Sequence, residues 1–545
     1  MEFLYRIKNC IKRPINIRRN NLLNLTEKQE TFSKQIPKNL LANILYFVLN
    51  VLIGLFLVPF FIDSLGVASY ALVPLATSIT SYVNLVVQSL NTSVSRYLTI
   101  DLQKQEFKKA NITFNTALFG TLGIILLMLP CVILISYYSP LFFEIPISQE
   151  NGARILFLGV IGSFLLRAWG SNFGVSLFAY NRLDLQNLVN AVNILVQTGL
   201  IVILFKLYSP NLIYIGLAYL MGAVAAFILT IVFSRRINPN LKVNIKDFRR
   251  SKVNEITQMG GWVIINQIGS LLFLQIDLIV VNKLFGTVAG GEYSVVLTWS
   301  MMLRTIAGML VGVLTPVTLT YYAKGRINEL ISVSKSTVKL TGLAMALPIG
   351  YICGFAPQLL SLWVGPEFAK LSLLMVLMLS HLVINLPVMP LFAINVAYNK
   401  VKIPGIVTFI MGIGNFLLAV LIPYLTGWNY YGVALAGAIM LTLKNAFFTP
   451  WYATKVLCIP RNIFLNSMLP GIFAMVITAG VSLLIFNYLQ ISGIISLLIC
   501  GIFLTAIYLS VVWEFGLKDL EKQIVGSFIP VKLRSRLNLE VKCSR

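Results

Sequence analysis

Several long apolar stretches carry amides, hydroxyls and a few ions at helical spacing, and these are the residues whose types could do chemistry. Ser81, Asn84, Gln88, Asn91 and Ser95 recur at intervals of three and four, which sets them on one face of a helix. Asn43 and Asn50 share a face upstream, and Gln186, Asn190, Asn193 and Gln197 share one further on. Asn266, Ser270 and Asp277 form another polar face; so do Ser163, Arg167, Gly170, Ser171 and Gly174, and Ser300, Arg304 and Gly308. An amide or hydroxyl between apolar helices is ordinarily interhelical glue, worth roughly 1 kcal/mol or less. A charge at the centre of a bilayer costs roughly 2.5–3.5 kcal/mol and marks a pathway by default. Arg167 and Arg304 sit far from the ends of their stretches, and Asp277 is the acidic residue set against them. Guanidinium groups suit phosphate or pyrophosphate, which they hold by paired, charge-assisted hydrogen bonds. The substrate-cavity candidates are therefore Arg167, Arg304, Asp277, Asn50, Asn84, Gln88, Asn91 and Asn266; an Asp277–Arg304 ion pair is the structural alternative.

Other chemistry is excluded by what the chain lacks. His381 is the single histidine, and Asn385 one turn away points to a packing contact. No Ser-His-Asp set and no Walker A pattern occurs, and the glycines of 286–291 have no strand–helix context for a phosphate loop. Cysteines 10, 131, 353, 458, 500 and 543 have no metal-ligand spacing. We expect no catalytic residue, no metal and no cofactor. Without a nucleotide motif, any transport is driven by an ion gradient (H⁺ or Na⁺), by membrane potential or by the cargo's own gradient.

The elements that hold these residues are membrane helices. The 545 residues are 57% hydrophobic and 11% charged, with mean hydropathy +0.83, against about 25% charged in a soluble chain. The apolar runs are continuous, which argues for helices over a β-barrel. They fall at about 40–62, 72–95, 113–137, 154–180, 185–206, 211–234, 261–284, 293–319, 337–361, 370–397, 403–425, 431–453, 467–488 and 491–513. The net charge of +24 follows this pattern: with fourteen spans, 36 of the 43 Lys and Arg fall in the two tails and the even-numbered loops. The expected arrangement is therefore a multi-pass protein of a bacterial cytoplasmic membrane with both termini cytoplasmic. It contacts membrane lipid and no nucleic acid.

Self-comparison finds a period near 218. Leu65-Gly66 pairs with Phe285-Gly286, Ser139-Pro140-Leu141 with Ala356-Pro357-Gln358, Tyr180-Asn181-Arg182 with Tyr398-Asn399-Lys400, and Gly216-Leu217-Ala218 with Gly432-Val433-Ala434. Each repeat holds six helices, so both insert the same way up, related by a pseudo-two-fold axis along the membrane normal. The fold expected is all-α: an N-tail (1–38), an N-lobe (39–235), a basic linker (236–258), a C-lobe (259–456), two further helices (463–514) and a C-tail (515–545).

The ordered segments Leu65-Gly66 with Tyr70, Ser95-Arg96-Tyr97, Ile276-Asp277-Leu278, Leu362-Trp363-Val364-Gly365-Pro366-Glu367-Phe368, and Tyr398-Asn399-Lys400-Val401-Lys402-Ile403-Pro404 with Asn415 carry a likeness. In them the chain resembles the multidrug/oligosaccharidyl-lipid/polysaccharide exporter superfamily, and within it the polysaccharide-biosynthesis flippases of O-antigen-unit type. The resemblance implies a V-shaped twelve-helix core plus two helices, with the first, second, seventh and eighth lining a cationic cavity. It implies a polyprenyl-pyrophosphate-linked glycan as substrate, moved from inner to outer leaflet by alternating access. The rivals are an ion-coupled multidrug antiporter of the same superfamily, and a membrane glycosyltransferase or polymerase. Acidic cavity residues would favour the first and large acidic outer loops the second; neither is evident in the sequence.

Overall fold

The computed structural model describes residues 19–253 and 268–525, apart from 104, 144, 146, 181, 324, 325, 399, 490–492, 520, 523 and 524. In hydrocarbon every backbone N–H and C=O must be satisfied within the chain, and continuous apolar sequence meets that condition as helix. The helices are α1 (Arg19–Leu65), α2 (Val67–Gln103), α3 (Phe107–Phe142), α4 (Glu150–Ala179), α5 (Leu183–Leu207) and α6 (Leu212–Ile237). A run from Ile276 to Ala323 follows, divided by non-helical Gly286 into α7 (to 285) and α8 (from 287). Then come α9 (Ile327–Gly354) with its extension Ala356–Val364, and a broken α10 in three pieces, Ser372–Leu379, Leu382–Asn385 and Leu391–Ala397. Finally there are α11 (Lys402–Thr426), α12 (Asn429–Thr442, continued by Thr449–Leu457), α13 (Ile463–Leu489) and α14 (Ile494–Val511). Twelve spans among the described residues are long and apolar enough to cross a bilayer; one of them is α7 and α8 together, and α2 is additional, with a shorter apolar part, Val67–Ser81. The chain is an all-α, polytopic membrane protein, with these fourteen helices among the described residues.

Two details differ from the sequence reading. The first helix begins at Arg19, well before the expected 40, because nothing between Arg19 and Lys38 terminates it apart from Pro37, and the polar segment simply continues the same helix. The span expected at 370–397 is interrupted beside Pro387 and Pro390, where consecutive turns replace regular helix. Proline removes an N–H and obstructs the preceding turn.

The repeat is visible in the packing. In the first half α4 packs on α3 and α6, and α5 on α6; in the second, α10 packs on α9 and α12, and α11 on α12. Helix α13 lies along α9, outside both repeats. For description, the end carrying Arg19, the α2–α3 turn and residues 516–525 is the tail end, and the end carrying Gly66 and Gly286 is the far end. At the far end one continuous apolar core spans both lobes, with Phe61, Leu72 and Ile161 from the first half joined to Val281, Val296 and Leu371 from the second. Toward the tail end the cores separate. One cluster around Leu98, Phe114 and Phe173 belongs to the N-lobe, and another around Leu330, Leu391 and Phe464 to the C-lobe. Among the described residues the lobes thus share one core at the far end and fall into separate clusters at the other.

Gly66 and Gly286 make the same turn in the two repeats, with φ of +79° and +83°. A side chain at either would meet no atom within 4 Å, so its cost is the left-handed backbone alone, roughly 1–2 kcal/mol. Gly66→Ala and Gly286→Ala should each lower the thermal unfolding midpoint of the detergent-solubilised protein. Gly120→Ala, inside α3 with equally open space, should leave it unchanged or raise it; equal midpoints in all three variants would contradict this account.

Candidate functional site

A cavity of about 1220 Å³ lies between the lobes, on the tail side of their shared core. Its walls come from α1, α2, α7 and α8, as the resemblance implies, with one residue of α5. Asn43, Tyr46 and Asn50 face it from α1, and Thr77, Ser78 and Ser81 from α2. Gln275 is contributed at the break before α7, where the helix makes a single turn residue. The α8 wall presents Ser294, Thr298 and Thr305 beside Met301, Met302 and Met309. These α8 positions recur at helical spacing on one broad face, which fixes them toward the cleft. Ser78 Oγ donates to Gln275 Oε1 across the lobes (2.9 Å). Asn187 of α5 donates its amide to Asn43 Oδ1, and Asn50 Nδ2 donates to Tyr46 Oη (3.3 Å). Among the described residues this lining carries no charged side chain.

The arginines occupy two other cavities, one in each lobe. Arg167 is exposed to a space of about 300 Å³ between α4, α5 and α6, bordered by Gln186, Asn190, Thr230 and Phe227. Among the described residues no carboxylate lies within ion-pair distance of it. Arg304 faces a pocket of about 30 Å³ inside the C-lobe, shared with Asp277, Tyr293 and His381. By that volume it holds about two waters. Arg304 Nε donates weakly to Ser300 Oγ (3.4 Å). Asp277 Oδ1 accepts from Asn415 Nδ2 (2.9 Å), which also reaches Leu272 O (3.1 Å). Asp277 and Arg304 share this pocket without closing to 4 Å, so they are electrostatic neighbours and not a contact ion pair.

The expectation was a cationic cavity; among the described residues the charges and the central cavity lie apart. Neutral amides and hydroxyls line the described part of the central cavity, and the guanidinium groups stand in side chambers. The reason is azimuthal: Arg304 is one residue before Thr305, which faces the cavity, and so is turned from it by about 100° around α8, into the lobe. Each chamber nevertheless borders the centre. Leu278, Leu297 and Met301 line both the Arg304 pocket and the central cavity. On α5, Asn187 faces the centre while Gln186 and Asn190 face Arg167. Asn84, Gln88 and Asn91 belong to α2, but their side chains lie outside those described, and Asn266 lies outside the described residues. His381 makes the expected packing contact, its Nδ1 2.7 Å from Asn385 Nδ2. That amide group continues to Asn445, which donates to Asn385 Oδ1 (3.0 Å), where α12 opens into a π turn.

The far end closes the cavity. A Cβ on Gly291 would stand 2.4 Å from Val67 O, so the opposite lobes touch there through backbone. Trp363 Nε1 donates to Leu55 O (2.7 Å), and its ring meets Trp299 edge-on at 5.3 Å. Glu292 is buried, paired with Lys370 at 2.5 Å and accepting from Tyr430 Oη at 2.8 Å. Sequence reading missed Glu292 because it placed the start of this helix at 293. A carboxylate six residues after the helix-breaking Gly286 was the available signal.

Comparison with known proteins agrees with this architecture. Residues 36–321 match the model of a family described as polysaccharide biosynthesis protein. The membrane protein EpsK of Bacillus subtilis (strain 168) is 32% identical over 491 residues, covering 89% of this chain and 96% of the relative. Among solved structures, the lipid II flippase MurJ in an inward closed conformation is similar with a TM-score of 0.58 at 17% identity, covering 87% of this chain and 98% of that one. An inward-facing multidrug resistance transporter of the MATE family, in the MOP superfamily, gives 0.56 at 16% identity, covering 80% and 96%. These two share the fold.

The C-lobe pocket sets a test of the Asp277–Arg304 relation. Removing one member of a coupled buried pair leaves the other charge uncompensated, at about 3–5 kcal/mol. Asp277→Ala should therefore lower the unfolding midpoint more than Asp277→Ala/Arg304→Met does. If the single-variant effects add to within about 0.5 kcal/mol, the two groups are independent.

Proposed function

Since this chain belongs to the polysaccharide biosynthesis protein family, a family of flippase-type membrane transporters and not of enzymes, we propose that it carries a polyprenyl-pyrophosphate-linked glycan from the inner to the outer leaflet. The observation that carries this reading is the chemistry of the central cavity. Its amides and hydroxyls can exchange hydrogen bonds with the hydroxyl-rich face of sugars, and its methionine and aliphatic wall can follow an isoprenoid chain. Methionine suits a cargo of variable shape, being flexible and polarisable. A drug-cation exporter needs an acidic residue in that space. Between residues 64 and 100, which include the α2 residues Pro74, Thr77, Ser78 and Ser81 that line the cavity, the chain contains no Asp or Glu, and α1 carries only Asp63 beyond Lys38.

In this reading the tail end is cytoplasmic, as the distribution of Lys and Arg argues, and the described conformation is open to the inner side. The lobes would alternate by rocking about the shared apolar core at the far end, after the Gly291–Val67 approach and the Trp363–Leu55 bond are released. The sugar occupies the neutral centre. The pyrophosphate sits at its margin, drawn by Arg167 on one side and Arg304 on the other, so that the charge need not be stripped of a counter-ion in either state. The energy source in this proposal is an ion or cargo gradient.

Reconstitution tests it. A labelled polyprenyl-pyrophosphate oligosaccharide in proteoliposomes should become accessible to a membrane-impermeant glycosidase only when the protein is present. Arg167→Ala and Arg304→Ala should each slow that conversion by about 10- to 100-fold, the loss of one charge-assisted hydrogen-bonded contact, with membrane insertion intact. Asn50→Leu should slow it less. Failure to move the glycan lipid, together with export of a cationic dye, would replace this reading by the drug antiporter.

A further inference from the structure

The segment between the lobes is held in one conformation by the N-lobe. After α6 ends at Ile237, Asn240 to Asn244 runs along the tail end of α3 as if α3 were the neighbouring strand of a sheet. Asn111 Nδ2 donates to Asn240 O (2.9 Å) while its Oδ1 accepts from Lys242 N (2.8 Å). Asn115 repeats the arrangement one turn on, donating to Lys242 O (2.8 Å) and accepting from Asn244 N (2.8 Å). Thr116 Oγ1 then accepts from Arg249 N (3.1 Å). Two side-chain amides four residues apart on a helix thus satisfy alternate backbone groups of an extended chain.

Extended backbone places successive side chains on opposite faces, and the sequence alternates over Leu241, Lys242, Val243 and Asn244 before a single 3-10 turn at Ile245–Asp247. Leu241 packs into the N-lobe cluster around Phe114 and Phe173. Val243 continues its face outward and is 49% exposed; Ile245, opening the turn that follows, is 68% exposed, and Phe248 just after it 36%. The other face and the following turn carry Lys242, Lys246, Arg249 and Arg250, all exposed and, among the described residues, without an ion pair. A soluble surface has no use for three exposed large apolar side chains set among four unpaired cations; the plane of a lipid headgroup layer does.

The depth agrees. Helix α3 has 36 residues, so it is about 54 Å long at about 1.5 Å per residue. A hydrocarbon core of about 30 Å leaves roughly 12 Å, or about eight residues, projecting at each end. Asn111 falls within that projection at the tail end, and Asn115, the ninth residue of α3, stands at its inner edge, which puts the clamped segment beside the headgroup layer.

We propose that residues 239–250 are an interfacial anchor that binds the anionic phospholipid surface, with Val243, Ile245 and Phe248 entering the headgroup–acyl boundary and Lys242, Lys246, Arg249 and Arg250 holding lipid phosphates. Because the asparagine pair on α3 fixes the segment to the N-lobe, the anchor sets that lobe's height in the bilayer while leaving the C-lobe to move. The proposal concerns lipid and is independent of the transported cargo. Each basic residue at such a surface contributes about a fivefold increase in affinity for anionic lipid.

The test uses the full chain in nanodiscs of phosphatidylcholine alone or with phosphatidylglycerol. Hydrogen–deuterium exchange across 239–253 should slow when phosphatidylglycerol is present, and phosphatidylglycerol should bind the detergent-solubilised protein in preference to phosphatidylcholine in native mass spectrometry. The variant Lys246→Gln/Arg249→Gln/Arg250→Gln should lose about 100-fold of that preference, and Ile245→Ser should lose protection while keeping the charge-dependent binding. These substitutions leave the Asn111 and Asn115 bonds in place, since they change no backbone group. Equal exchange in the two nanodiscs, or an unaltered lipid preference in the triple variant, overturns the anchor. Protection by soluble pyrophosphate at millimolar concentration without phosphatidylglycerol would overturn it too, in favour of an anion site for the cargo's head.

Discussion

A polar group in hydrocarbon must find a partner or water, and this requirement organises the molecule. It compels the backbone into helices. It also sorts the side chains, because an amide or guanidinium with no partner on its own helix has to be turned toward another helix or toward a wet space. The amides of α5 illustrate the outcome. Asn187 is bonded to Asn43 across the central cavity's edge, Gln186 and Asn190 face the Arg167 chamber, and Asn193 and Gln197 are buried against α6. Three different solutions to one physical constraint appear within four turns.

The same constraint explains why the two arginines are separated from the central cavity. An arginine lining a wide cleft that opens and closes would be exposed to hydrocarbon or stripped of water in part of the cycle. In a side chamber its surroundings are constant. Arg304 keeps Asp277, Ser300 and room for water within the C-lobe, and Arg167 keeps an amide-lined space in the N-lobe. The central surface is left neutral, with weaker and more numerous hydrogen-bonding groups, which suits a cargo that must be released as readily as it is bound. The fold itself is shared with a lipid II flippase and a multidrug transporter, so the architecture alone does not specify a cargo.

The lobes are joined by an apolar core at the far end and by polar or backbone contacts beside it. Apolar burial is non-directional and tolerates small rotations, whereas a hydrogen bond such as Trp363–Leu55 has a definite geometry that a rotation breaks. In the proposed cycle the first kind would serve as hinge and the second as latch. At the tail end each lobe is complete in itself, and the clamped linker continues the N-lobe's packing through Leu241.

Much of this was legible in the sequence. Helix number, the six-plus-six-plus-two plan, the turn glycines at 66 and 286 and the His381–Asn385 contact all follow from hydropathy and spacing, since bilayer thickness and helical rise leave few alternatives. The spacing of polar residues also told that Arg304 and Ser300 share a face, and that Asn50 stands on a polar stripe. What it could not tell was the direction in which each stripe points. A period of three and four residues defines a face but not its azimuth, which is decided by how α7, α8, α10 and α12 pack together. That packing sent Arg304 into the lobe, brought Asn415 to Asp277 from 138 positions away, and set Glu292 against Lys370 and Tyr430. Such pairings arise only when distant segments meet, and no local pattern records them.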